Sequence, residues 1–139
     1  MAINAGCLIG DIGAVLSSPV LRCMQTAEHI LPMATIRPSK SLCGGPFGEE
    51  WVNLKEELGW LDAIRKWLDG DFRGSQSVKD VGRDIVQYLI ESHKMGRNTL
   101  DISQDVAILA VAEYLGMRRG AISVPELGGI FIRENSILH

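Results

Sequence analysis

The chain has 139 residues, of which 46% are hydrophobic and 22% charged, and a formal net charge of −3. That length and balance fit one globular domain spanning residues 1–139, with a core of its own and no need of staples. The slight acidity gives no footprint for a nucleic-acid partner, so any anion site has to be built locally.

Taken in chain order, residues 2–10 are ambiguous and read as a short helix ending near Gly10. The apolar run before Ser17 predicts a buried strand over 13–17. Pro19 then suits the first position of a helix, where its missing N–H costs nothing, and the helix runs to Leu31 before Pro32 stops it. Residues 34–37 are expected to be extended, because Pro38 biases Arg37 in that direction. Residues 40–48 are glycine-rich and irregular. Over 49–68 the residues Trp51, Leu54, Leu58, Leu61, Ile64, Trp67 and Leu68 recur at helical steps, and Gly59 is placed to split the helix in two. A turn over 70–74 precedes an amphipathic helix over 77–92, with Val78, Val81, Ile85, Tyr88 and Leu89 on one face. Residues 98–103 read as a strand. Gln104 or Asp105 opens a helix to Leu115, which Gly116 ends. A connector over 124–127 leads to a last strand at 129–133. Strands alternating with helices predict an α/β domain with a mostly parallel sheet.

The cysteines, Cys7, Cys23 and Cys43, are odd in number and widely spaced, and make no zinc-type set with His29, His93 and His139. They suit free thiols in a reducing compartment, so a cytoplasmic setting is expected, with no metal and no cofactor. No apolar run has the length of a membrane span, and the residues after Met1 lack the basic start of a secretion signal.

The densest chemical signal is Ser17-Ser18-Pro19-Val20-Leu21-Arg22-Cys23-Met24-Gln25-Thr26-Ala27-Glu28. A strand, a Ser-Ser-Pro turn and a helix with an early arginine make a good anion site, since first-turn N–H groups and a forked guanidinium can face one phosphate. Cys23 beside Arg22 does not make a cysteine phosphatase loop, because no Cys-x5-Arg follows. No G-x-G-x-x-G or Walker-type sequence supports nucleotide binding.

The pattern Ser-Ser-Pro-x-x-Arg-x-x-Gln-Thr-Ala-Glu resembles the second signature of the histidine phosphatase, or phosphoglycerate mutase-like, superfamily. The resemblance extends from about Gly13 to Arg133 and is strongest over 16–28 and next over 99–116. It implies a three-layer α/β sandwich, here lacking the usual first central strand. It also implies an ancestral phosphatase or phosphomutase activity that passes through a phosphohistidine. An in-line displacement on phosphorus needs a nucleophile, positive groups on the oxygens and an acid for the leaving group.

On the resemblance, Arg22 matches a phosphate arginine. The competing reading is a helix-start arginine paired with Glu28 or Asp11. Ser18 is a weaker phosphate-binding candidate, since its turn position is explained by helix capping alone. The nucleophile motif Arg-His-Gly occurs nowhere, and no histidine precedes His29. On the resemblance, the chain is expected to start inside the helix that follows the family's nucleophile strand. Gln104 stands where a second site histidine is expected. Glutamine can donate to a phosphate oxygen but brings no charge. Glu49 and Glu50 are the candidate acids, although glutamates at a helix start are also explained by the macrodipole. His29, His93 and His139 do not replace the nucleophile.

Two absent histidines predict an impaired enzyme that retains, at most, affinity for phosphate or a phosphorylated small molecule. The alternatives are an active phosphatase whose Arg-His-Gly segment is missing from the recorded chain, and a protein-interaction module. A sheet without its central strand would expose edge groups, to be met by residues 2–8, by a rearranged sheet or by a second chain, and a homo-oligomer is expected.

Overall fold

A computed structural model of the protein describes residues 12–93, 98–125 and 128–130. Its sheet has three strands, β1 (Ile12–Ser17), β2 (Ile36–Pro38) and β3 (Asn98–Ile102), in the order β2-β1-β3, and both pairings are parallel. Five helices accompany them among the described residues: α1 (Leu21–Ile30), α2 (Glu49–Leu58), α3 (Trp60–Leu68), α4 (Val78–Ser92) and α5 (Asp105–Tyr114). A 3-10 turn, Lys40–Leu42, follows β2. The molecule is thus α/β with a parallel sheet, as the alternation of elements predicts.

Parallel strands need both faces covered, and β1 meets this by alternation. Val15 is buried with Cys23 and Ala27 of α1 and Ile102 of β3. Leu16 points the other way and joins the larger core, with Trp51, Ile64, Trp67, Leu68, Val81, Ile85, Val106 and Leu109. The larger core is closed by an intimate pairing of α4 with α5. Gly82 makes it possible, since a Cβ there would come within 2.8 Å of the Ala110 carbonyl carbon. α5 buries Val106, Ala107, Leu109, Ala110 and Val111, a run apolar on nearly every side, as expected of a central helix.

Gly59 divides the helical stretch as expected. It adopts φ 83°, ψ 166° between α2 and α3, a left-handed geometry that glycine takes readily. The break also shifts the helical phase. α3 buries Ala63 and Ile64 and leaves Leu61 58% exposed, contrary to the unbroken periodicity. Trp67 is deeply buried, and its indole N–H donates to the Gln76 carbonyl at 2.9 Å.

α1 starts two residues later than expected. Val20, extended at φ −62°, ψ 133°, is the N-cap, so Pro19 lies ahead of the helix and is not its first residue. Ser77 caps α4 through the Asp80 N–H, and Gly116 ends α5 at φ 73°. Beyond α5 the chain is fastened by Arg118, a residue that periodicity does not single out. Its buried guanidinium donates to Glu113 at 2.8 Å, to Asp69 at 2.7 Å and to the Ala121 carbonyl at 2.9 Å. Burial opposes this charge, but hydrogen bonds to Glu113 and Asp69 outweigh it and raise the guanidinium pKa.

The helix predicted over 2–10 lies outside the described residues. Of the strand predicted over 129–133, Gly129 and Ile130 have no regular structure and the remainder lies outside them. Among the described residues, no helix is long and apolar enough to cross a membrane.

Candidate functional site

The chain leaves β1 for β2 on one side and reaches β3 on the other, so the order β2-β1-β3 contains a switch point between β1 and β3. At such points the connections diverge above and below the sheet and leave a crevice at the carboxyl ends of the strands. Here backbone hydrogen bonds bind the three strand exits together. The Ser18 N–H donates to the Ile102 carbonyl at 2.8 Å, and the Ser39 N–H to the Ser17 carbonyl at 2.7 Å. The Ser103 hydroxyl donates to the Leu42 carbonyl. The starts of α1 and α5 therefore follow neighbouring strand ends on the same edge of the sheet.

Arg22 is the second residue of α1 and is exposed. The start of α1 is open to an anion, because Val20 provides no side-chain cap and the first turn has no acidic residue. Gln104 is the half-buried N-cap of α5, and its side chain makes no capping bond. Asp105 follows it, and its carboxylate accepts from the Val106 N–H at 2.9 Å. An anion approaching α5 thus meets a helix end that already carries a negative charge.

Ser18 is fully buried and is not the cap of α1. Its hydroxyl stands 3.5 Å from the Val20 N–H and 2.9 Å from Cys43 Sγ. It lies two positions ahead of the N-cap, too early to reach the N–H groups of the first turn. Burial raises the Cys23 thiol pKa, a hydrogen bond with Ser18 and the charge of Arg22 lower it, Cys43 adds to the rise, and the net shift is upward.

Glu49 and Glu50 are exposed in the first turn of α2. Glu50 lies against Gly74 in the turn after α3, where an added Cβ would stand 2.9 Å from the Glu50 Cβ. The loop before them is drawn inward instead. A Cβ at Gly44 would stand 2.6 Å from Ile85 Cδ1, and one at Gly45 would stand 3.1 Å from Val106 Cγ1. These glycines are close-approach positions on α4 and α5. His29 sits in the last turn of α1, and His93 is the C-cap of α4.

A half-buried acid that the sequence pattern does not mark is Asp101 of β3. By register it lies beside Leu16 on the sheet face opposite α1. One carboxylate oxygen takes the Thr99 hydroxyl at 3.2 Å, and the other has no hydrogen-bond partner. Burial raises its pKa, against opposing effects from the Thr99 hydrogen bond and the charge of His93. The signal available in the sequence was an acid at the position in the strand that pairs with an apolar residue. Among the described residues, no cluster of His, Cys, Asp or Glu could hold a metal ion.

Comparison with protein-family models, curated proteins and solved structures gives no match to this chain.

Proposed function

We propose that the chain is a degenerate member of the histidine phosphatase (phosphoglycerate mutase-like) superfamily, of the three-layer sandwich type, that binds a phosphate-like anion and has lost phosphoryl transfer. The observation that carries this reading is the uncapped start of α1, with Arg22 in its first turn, at the switch point beside the Gln104 end of α5. It gains support from the motif over 17–28. Gln104 supplies a neutral donor where the family has a cation, and Asp105 adds repulsion, so affinity is weak. These 139 residues hold no Arg-His-Gly to accept a phosphoryl group. Without the nucleophile of a covalent mechanism, the remaining site residues add little rate.

Titration with inorganic phosphate or orthovanadate, followed by amide NMR, tests the site. Shifts are expected at Leu21, Arg22 and the Gln104–Asp105 turn. Arg22→Ala should weaken binding by roughly tenfold, the value of one charge-assisted hydrogen bond. A phosphomonoester assay should give no turnover above background. Robust hydrolysis abolished by Arg22→Ala would refute the loss of chemistry, and unchanged binding in that variant would refute the site.

A further inference from the structure

Cys23 and Cys43 come from different elements, the first turn of α1 and the loop after β2, yet both lie by Ser18. Cys43 Sγ is 2.9 Å from the Ser18 hydroxyl, and Ser18 and Cys43 both lie near enough to Cys23 to act on its thiol. Both thiols are free, Cys43 exposed and Cys23 buried. An accessible thiol beside a sheltered one is the arrangement of a peroxide-sensing pair, in which the first is oxidised and the second resolves it.

We propose that Cys43 and Cys23 form a reversible disulfide in response to hydroperoxides, with Cys43 as the peroxide-reacting sulfur and Cys23 as the resolving one. The Cys43 thiolate attacks hydrogen peroxide, the O–O bond breaks, and the departing hydroxide takes a proton to give water and a Cys43 sulfenic acid. Cys23 sulfur then attacks the Cys43 sulfur. The S–S bond forms, the S–O bond breaks, and the oxygen leaves as a second water with the Cys23 proton. Two thiols lose two electrons and two protons, and the peroxide is reduced to two waters. A dithiol reductant reverses the reaction by thiol–disulfide exchange. The bond would tie the loop over 43–48 to the start of α1, across Ser18. It stands whether or not the crevice takes phosphate.

The test uses the full chain with Cys7→Ser, so that only this pair can react. After hydrogen peroxide, alkylation of residual thiols and trypsin, mass spectrometry should find residues 23–40 linked to residues 41–55, in monomeric protein and reversibly. Under the same treatment Cys43→Ser should leave Cys23 as a free thiol. Oxidation of Cys43 to sulfinic acid with Cys23 unlinked, links only between molecules, or unaltered thiols in both would each overturn the proposal. Oxidation of Cys23 in Cys43→Ser at the rate of the parent would overturn the assigned order.

Discussion

Single residues carry the electrostatics of this molecule. Asp101 holds a buried oxygen without a partner, and its pKa is raised, chiefly by burial. A raised carboxyl keeps its proton in the folded chain at pH values where the unfolded chain has lost it. Its cost is absent below the unfolded pKa and grows as pH rises towards the folded one. Asp101→Asn is therefore expected to stabilise the protein at pH 7 by about 1 kcal/mol, the scale of one poorly satisfied buried polar group. Urea unfolding of both proteins across acid to neutral pH checks this, and the gain should vanish at the acid end. Asp105 acts at the start of α5. Because its carboxylate already occupies the first turn of α5, Asp105→Asn should tighten phosphate binding several-fold, with macrodipole and Coulomb effects as the cause. The NMR titration measures it, and an unchanged affinity would place the anion away from α5.

At the scale of elements, what decides is how closely backbones approach. Gly82 would read in sequence as a weak point in a helix, worth about 1 kcal/mol of lost propensity. It lies instead where α4 meets the Ala110 backbone, so Gly82→Ala, which ought to help an isolated helix, should cost about 1–3 kcal/mol through overpacking. Thermal unfolding settles the sign. Arg118→Met should cost about 2 kcal/mol, since Glu113 and Asp69 lose a charged donor but keep some water. Most element boundaries were legible, because turn chemistry is local: Ser77 caps α4, Gly59 separates α2 from α3, and Gly116 ends α5. The misplaced features depended on geometry that short patterns do not encode. Pro19 permits a helix start without dictating it, and Leu61 lost its predicted burial when Gly59 reset the helical phase.

For the whole molecule, Arg22 was singled out by its place after a strand and by the family resemblance, and Gln104 by the resemblance alone, while the nearness of their helix starts was not legible. It depends on β1 and β3 being neighbours, a pairing between segments far apart in sequence. The approach of Cys43 to Ser18 was hidden for the same reason, since it follows from the joining of the Ser39 and Ser17 backbones. The acids Glu49 and Glu50 were legible as a helix start and nothing more. The expected self-association is checked by light scattering. A mass above that of one chain at micromolar concentration is expected, and a monomer at all concentrations would exclude it.

The placement of β1 at the centre also bears on biosynthesis. Val15 finds Ile36 soon after it is made, but its second neighbour, Leu100, emerges only after α1 to α4 have been synthesised. Until then one side of the central strand stays open, and the nascent chain holds an adhesive edge that a chaperone or a sister chain can occupy. Such late, long-range pairing slows folding, so arrival of β3 is expected to set the pace at which this protein matures.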